Sequence, residues 1–215
     1  LFIFEVSYLI DVYEKSLFDT IYHEHLAYHS VKPLKAFFDK HNMELIDVIR
    51  IDTHGGSIRG IVQNKKGPRE VNTSVEELIK LENNLGFSDS KTFKDFSNKI
   101  SKIKKELKEL LISFKKEGKS IAGFGAPAKA TTLMYQFGFN KDLIDFIVDD
   151  NPLKQNTFTP GIHIPVVSSQ VIKERKPDYL LILAWNFSES IIKNHSYFSA
   201  QNGKFIVPLP QIKII

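Results

Sequence analysis

The first third of the chain combines strand-like and helix-like patterns of apolar residues. Leu1–Val6 is a largely apolar run that predicts a strand. Apolar residues fall at mostly alternate positions in Met43–Ile51, and Ser57–Gln63 is a second extended run, so these segments predict neighbouring antiparallel strands. From Val31 to His41 apolar residues recur at helical spacing, which predicts an amphipathic helix after the first strand.

Helical spacing dominates the middle of the chain. A helix is predicted up to about Leu85, with Thr73 or Ser74 as its N-cap. From Thr92 to Glu117 apolar residues follow one another at alternating steps of three and four, which predicts a long helix with one apolar stripe that Gly118 ends. We interpret this helix as a connector between two domains, with a self-associating coiled coil as the alternative.

The last third alternates strand and helix patterns through short connections. Strands are predicted at 119–124, 143–148, 179–184 and 205–209, and helices at 128–137, 166–173 and 189–197. Strands that alternate with helices in this way pair in parallel through crossover connections, and helices cover both faces of their sheet. The predicted fold class is therefore α/β, with a Rossmann-like parallel sheet at the C-terminus.

Composition narrows the functional classes. The chain has no cysteine, which excludes disulfides and a cysteine nucleophile and is compatible with a reducing, cytoplasmic location. A net charge of +4 comes largely from lysines in the long helix, and no arginine cluster interleaved with aromatic residues accompanies them, so we expect no nucleic acid partner. No apolar run approaches the roughly 18 residues of a membrane span, so we expect no membrane partner.

The segment Phe18–His29 carries three histidines, one glutamate and two tyrosines. Imidazole has an unperturbed pKa of roughly 6.5, and a neighbouring carboxylate can fix its tautomer. This composition predicts acid–base chemistry, and proton abstraction is favoured because no Ser or Cys nucleophile stands beside the base. In a strand Tyr22 and Glu24 would face away from His25, so their convergence requires an irregular loop.

Two other interpretations of this segment stay open. His23, His25 and His29 could supply nitrogen ligands to a metal ion, although the zincin pattern would need a histidine where this chain has Ala27. The histidines could also be ordinary core or surface residues. We expect no metal site.

A glycine-containing turn follows the first strand of the predicted Rossmann-like domain. Gly123 and Gly125 would let the backbone approach a phosphate, and Lys129 would add a positive charge at the start of the next helix. The third glycine of the dinucleotide fingerprint is absent, so a purely structural tight turn is the alternative. Asp149 directly follows the next predicted strand, where it would bind ribose hydroxyls or cap a turn.

Thr53–Arg59 combines two glycines with a hydroxyl group and a guanidinium group. Such groups could bind a phosphate or a sugar in a cleft. The alternative, which the sequence slightly favours, is a Gly-Gly hairpin with an exposed Arg59.

Taken together, these motifs resemble those of bacterial S-adenosylmethionine-dependent C-methyltransferases that act on nucleotide-linked deoxysugars. The motifs that carry the resemblance are Glu5–Tyr8, Phe18–His25, His54–Arg59, Gly123–Lys129, Asp149–Gln155 and Thr159–Pro165. The resemblance implies three parts: a C-terminal remnant of the methyltransferase domain with the His-rich loop (1–67), a helical connector (68–118) and a Rossmann-like substrate-binding domain (119–215). It also implies that the zinc-binding region and most of the S-adenosylmethionine site lie upstream. The chain opens without Met in a predicted strand, so we expect a C-terminal fragment that is inactive alone.

The resemblance also implies roles for particular residues. His25 would remove a proton beside a ketone of the sugar ring, and the resulting enolate would take the methyl group. Glu24 and Tyr22 would position the imidazole or the sugar.

By the same resemblance, Gly123, Gly125 and Lys129 would lie near the pyrophosphate of the nucleotide-sugar, with Arg59 as a weaker candidate. The alternatives from other classes are an NAD(P)-binding oxidoreductase domain that uses the same glycine turn, and a non-catalytic nucleotide-binding module.

Overall fold

The structure, a computed structural model, describes residues 1–215, which divide into two units. Unit 1 comprises residues 1–18 and 24–99, and unit 2 comprises residues 19–23 and 100–215. The pentapeptide 19–23 therefore belongs to unit 2, although unit 1 residues flank it on both sides. The division into three parts at residues 67 and 118 stays a prediction.

Unit 1 contains a three-stranded antiparallel sheet in the order β1–β3–β2. Its elements are β1 (Phe2–Ser7), α1 (Leu9–Glu14), α2 (Val31–Lys40), β2 (Met43–Ile51), β3 (Ser57–Asn64) and α3 (Thr73–Asn84). The predicted antiparallel pairing of β2 with β3 is confirmed. Helix α1 was not predicted, because its six residues are too few to establish a helical period.

The core of unit 1 lies between the sheet and its helices. Its buried residues are Tyr8, Ile10, Val31, Phe38, Leu45, Val48, Ile58, Val62 and Val75. The register of β2 against β3 shifts between Leu45 and Asp47, which marks a β-bulge. Both Leu45 and Ile46 are buried, because the bulge interrupts the strict alternation of inward and outward side chains.

The predicted N-cap of α3 is wrong by one or two residues. Asn72 is the N-cap, and it makes no side-chain capping bond. The Ser74 hydroxyl instead donates to Asp47 over 2.6 Å and accepts from the Val48 amide over 3.1 Å. Ser74 therefore ties the helix to strand β2, a tertiary role that local capping rules do not predict.

Helix α4 (Ser90–Lys116) confirms the predicted long helix. Gly118, with a φ of 74°, follows its end. The buried residues of the helix are Ile100, Ile103, Leu107, Leu111 and Phe114. The division between the two units falls inside this helix, after Lys99. No helix of the chain, including this one, is both long and apolar enough to cross a bilayer.

Unit 2 contains a seven-stranded sheet in the order β10–β9–β8–β4–β5–β7–β6. Its strands are β4 (Ile121–Phe124), β5 (Ile147–Val148), β6 (Thr157–Phe158), β7 (Pro165–Val167), β8 (Tyr179–Ile182), β9 (Lys204–Val207) and β10 (Lys213–Ile214). Its helices after α4 are α5 (Ala128–Phe137), α6 (Val171–Arg175), α7 (Ser188–Asn194) and α8 (Ser196–Ala200). The five central strands are parallel, which confirms the Rossmann-like α/β prediction. Antiparallel β6 and β10 at the two edges make the sheet mixed.

Three predicted elements of unit 2 differ in the structure. The helix predicted at 166–173 is wrong at its start, because Val166 and Val167 pair with β5 and helix α6 begins only at Val171. The helix predicted at 189–197 is divided into α7 and α8 at His195. Of the strand predicted at 143–148, only Ile147 and Val148 join the sheet.

Asp178 joins the start of β8 to the start of β4. Its carboxylate accepts hydrogen bonds from the Ser120 amide and hydroxyl, both over 2.9 Å, and lies 3.2 Å from the Lys119 ammonium. These bonds, led by the backbone amide of Ser120, hold the pKa of Asp178 below its ordinary value of 3.8. The ionised form is therefore the one that the fold stabilises.

We expect Asp178→Asn to lower the free energy of unfolding at neutral pH and to lower it by less at pH 3. The folded-state pKa lies below the unfolded value, so the contribution of this carboxylate is present above the unfolded pKa. It is lost as the pH falls through the folded-state pKa. Urea unfolding of both proteins at pH 7 and pH 3 measures the difference. An equal loss at both pH values would contradict the assignment.

Candidate functional site

The His-rich segment is an irregular loop, as predicted. A short 3₁₀ turn covers Phe18–Thr20, and residues 21–28 form neither helix nor strand. The loop ends where His29 forms an isolated bridge with Tyr8 and accepts a hydrogen bond from the Leu9 amide over 2.9 Å. Regular alternation therefore does not constrain the directions of its side chains.

An open cavity of about 530 Å³ lies in unit 1 beside this loop. Its ionisable and hydroxyl-bearing lining residues are Glu24, His25 and His29 from the loop, Glu5 and Ser7 from β1, and His54 and Ser57 from the β2–β3 connection. Ligand-binding cavities in proteins typically measure about 300–1,000 Å³ and place a few polar groups on their walls. The cavity therefore has the size and chemistry of a small-molecule site.

The structure brings two of the three predicted catalytic residues together. Glu24 and His25 line the same cavity. Tyr22 belongs to the pentapeptide of unit 2 and is not one of the lining residues, and its amide donates to the Thr20 carbonyl over 3.0 Å. Its ring packs edge-on against His23, with 6.0 Å between the ring centroids.

Several residues that line the cavity were not predicted as site residues from the sequence. Glu5 and Ser7 are two positions apart on β1, so their side chains point to the same face of the strand. His54 and Ser57 were considered only within the Gly-Gly motif. For Glu5 and Ser7, the available signal was their two-residue spacing in the first strand. For His54, it was the position of a histidine directly before paired glycines.

The connection that presents His54 has an uncommon backbone. His54, Gly55 and Gly56 have φ values of 55°, 96° and 149°, in the region that glycine adopts readily and other residues rarely do. A Cβ atom at Gly56 would lie 2.2 Å from the Cβ of Asp11, so no larger residue fits there. The Gly56 carbonyl accepts from the Tyr8 amide over 3.3 Å. This turn therefore has the predicted hairpin connectivity together with a fixed, glycine-dependent shape.

Charged side chains around the buried Asp11 carboxylate stabilise this turn. Asp11 is 0% exposed and accepts from Arg50 over 2.8 and 3.1 Å, while Lys15 lies 2.9 Å away. Lys15 also donates to the Gly55 carbonyl over 2.8 Å. The hydrogen bond from Arg50 to Asp11 is the main reason that the pKa of Arg50 is raised. These charge-assisted bonds stabilise the backbone that places His54 on the cavity wall.

Arg59, a predicted substrate-binding residue, lies directly across from Glu5 in the β1–β3 pair. Its guanidinium is 3.0 Å from the Glu5 carboxylate. Arg59 is not one of the lining residues of the cavity. The contact that the structure shows for it is therefore with Glu5, which does line the cavity.

The glycine turn of unit 2 follows β4, as predicted. A Cβ at Gly123 would lie 2.8 Å from the Cγ1 of Ile147, and one at Gly125, where φ is 90°, would lie 2.6 Å from the Cβ of Ala184. Packing alone therefore requires glycine at both positions, and the phosphate role stays a prediction. The Asp149 carboxylate accepts from the Ala126 amide over 2.7 Å and from the Asn151 amide over 2.8 Å. Asp149 therefore fixes the turn and its own strand end.

A smaller cavity of about 170 Å³ adjoins the glycine turn within unit 2. Its lining includes Ala126 and Pro127 of the turn, Lys154, and Thr157 and Phe158 of β6. Lys154 lies 3.6 Å from Asp149. The turn thus borders a concave surface with a positive charge, although the lysine already has a carboxylate neighbour.

Lys129 has different surroundings from those predicted. Its ammonium lies 3.6 Å from the carboxylate of Asp19 and 4.6 Å from the centre of the Trp185 ring, and only 13% of its side chain is exposed. Burial lowers the pKa of Lys129.

No three His, Cys, Asp or Glu side chains are grouped so that they could hold a metal ion.

Comparison with known proteins identifies the family. Residues 52–210 match the family of C-methyltransferase C-terminal domains. The chain is 35% identical over 215 residues to C-methyltransferase NovU of Streptomyces niveus. The aligned region covers 100% of this chain and 51% of that protein. The chain thus spans about half the length of this curated relative. It belongs to the C-methyltransferase family and corresponds to the C-terminal part of its members.

Proposed function

We propose that this chain is the part of a C-methyltransferase that binds a nucleoside-diphosphate-linked keto-deoxysugar and removes its acidic carbon-bound proton, with His25 as the general base. The observation that carries the proposal is the position of His25 beside Glu24 on the wall of a cavity large enough for a sugar. Family membership supports methylation at carbon, which requires a carbon nucleophile.

The proposed chemistry begins with a carbon–hydrogen bond next to a ketone of the sugar ring. The imidazole of His25 takes the proton, and the electron pair of the bond moves toward the ketone to form an enolate. Glu24, on the same wall, would position the imidazole or the sugar. S-adenosylmethionine, when bound, supplies an electrophilic methyl group.

The residues of unit 1 do not by themselves fit that cofactor. An adenosine cofactor is commonly held by a glycine-rich loop between a strand and the helix that follows it. The paired glycines of unit 1, Gly55 and Gly56, instead join two antiparallel strands. The role that we assign to unit 1 is therefore limited to holding the sugar and moving its proton.

Other cavity residues would hold the sugar. Ser7 and Ser57 stand opposite each other in the β1–β3 pair, and both line the cavity, so their hydroxyl groups would bond the sugar hydroxyls. His54 presents a second imidazole on the same wall. Arg59 would act through Glu5, which it contacts.

In unit 2 we propose that the turn containing Gly123 and Gly125 lies near the diphosphate and that Asp149 lies near the ribose. The start of α5 follows the turn, and the amides of a helix start favour negative charge. Because Asp149 already bonds the Ala126 amide, its contact with a ribose would use its remaining acceptor capacity.

Thermal unfolding of this chain with three separate ligands tests the substrate class. We expect a deoxythymidine-diphospho-sugar to raise the unfolding temperature, because a ligand that binds only the folded state at 100 times its Kd stabilises it by about 2.7 kcal/mol. NAD and S-adenosylmethionine are the comparison ligands. A shift with NAD alone would support the oxidoreductase alternative and contradict the proposal.

A further inference from the structure

A cluster of side chains around the buried Asp19 holds the start of the His-rich segment in unit 2. We name it the Asp19 cluster, and its members are Asp19, Ile21, Lys129, Thr132 and Trp185. Asp19 is 0% exposed, and it lies in the same pentapeptide as Tyr22. None of these contacts is a strand pairing of the Rossmann-like sheet, so the sheet alone does not explain them.

The geometry of the cluster fixes both a side chain and the backbone. The indole N–H of Trp185 donates to Asp19 Oδ2 over 2.7 Å, and the Lys129 ammonium lies 3.6 Å from the same oxygen. The Thr132 hydroxyl donates to the Ile21 carbonyl over 3.1 Å. Lys129 and Thr132 are three residues apart on α5, so they share one face of the helix.

The energetic cost of burying the charges of the cluster indicates that it fixes one conformation rather than adding stability. Burial raises the pKa of Asp19 and lowers that of Lys129, because each charge loses hydration. A buried ion pair of this kind adds little stability compared with apolar residues, whereas the loss of one partner is strongly unfavourable. Such a pair therefore penalises arrangements that leave Asp19 or Lys129 buried without the other.

We propose that Lys129, with Trp185 and Thr132, is a positioning residue that holds the segment 19–23 in one conformation and so fixes the start of the loop that continues to His25. The inference rests on the proposed function for its catalytic consequence. It assigns Lys129 a different task from the phosphate contact that the sequence predicts. A phosphate would have to draw the ammonium away from both Asp19 and the Trp185 ring.

Lys129→Met tests the inference, because methionine fills a similar volume without the charge. In this chain, we expect hydrogen exchange at the Tyr22 amide, which donates to Thr20, to become at least about tenfold faster. In the enzyme that contains this chain, we expect kcat to fall about 10-fold to 100-fold with KM for the nucleotide-sugar changed less than about threefold. Lys173→Met is the matched control, since Lys173 also lies over an aromatic ring, Tyr197, but does not contact the cluster.

A second pair of variants keeps the test decisive if Lys129→Met folds poorly. Thr132→Val removes only the hydroxyl that bonds Ile21, and we expect it to accelerate exchange at Tyr22 with the rest of unit 2 unchanged. Asp19→Asn combined with Lys129→Met should perturb less than the two single changes added together, because no unpaired charge is left buried.

The outcomes separate this inference from the proposed function. Unchanged exchange at Tyr22 in both Lys129→Met and Thr132→Val would overturn it. A raised KM with unchanged kcat in Lys129→Met would also overturn it, in favour of a phosphate ligand. If His25→Ala keeps full activity while Lys129→Met accelerates exchange, the positioning contact stands and the assignment of the base fails.

Discussion

His25→Ala is expected to lower kcat of the methyltransferase that contains this chain by about 100-fold to 10,000-fold, the usual contribution of a general base. The imidazole is the proposed acceptor of the sugar's carbon-bound proton, and alanine leaves no group at that position to take it. The substrate should still bind, because the other polar residues of the cavity wall are unchanged. Steady-state kinetics with the nucleotide-sugar measure kcat and KM separately.

Solvent exchange gives a more direct measurement of the same step. If His25 removes the proton, the enzyme should exchange that hydrogen of the sugar with D₂O when no methyl donor is present, and His25→Ala should abolish the exchange. His41→Ala is the control, because His41 is an exposed histidine of unit 1 that does not line the cavity. We expect it to keep kcat within about fivefold of wild type. Full exchange by His25→Ala would show that another group is the base.

The elements that were predicted correctly from the sequence are those in which many consecutive residues repeat one period. The bounds of β2 were predicted at Met43–Ile51, and those of α5 at 128–137, because nine or ten residues repeat a period clearly. Strands β5, β6 and β10 have two residues each, too few to show any period. Val166 and Val167 lie in a strand because neighbouring strands pair with β7. This tertiary preference is not visible in their local sequence pattern.

The candidate site was predictable to a similar extent. The loop was found from its composition, and the pair Glu24 and His25 was chosen by resemblance to the family. The structure places this pair on one cavity wall. The contact of Lys129 with Asp19 joins residues far apart in the chain, so no spacing rule could have found it. Because a lysine at a helix start suits an anion in general, the sequence favoured a ligand where the fold supplies a carboxylate of its own.

The far end of the His-rich loop depends on another buried carboxylate, that of Glu82, which is 2% exposed. Its oxygens accept from the amides of Val31 and Lys32 at the start of α2 and from the Tyr8 hydroxyl. Burial, reinforced by this carboxylate, raises the pKa of Tyr8, so its hydroxyl stays a donor. The carboxylate also balances the positive end of the helix dipole. Glu82 on α3 thus joins Tyr8, which precedes the loop, to the start of α2, which follows it.

We expect Glu82→Ala to lower the free energy of unfolding of unit 1 by about 2–5 kcal/mol, because two or three buried donors lose their acceptor at about 1–3 kcal/mol each. Glu82→Gln, which keeps one carbonyl oxygen, should lose less. Glu77→Ala, an exposed position on the same helix, is the control and should change stability by less than about 0.5 kcal/mol. Urea unfolding followed by hydrogen exchange at the Val31 and Lys32 amides measures both the size and the place of the change. Equal losses for Glu82→Ala and Glu77→Ala would mean that these hydrogen bonds do not hold the end of the loop.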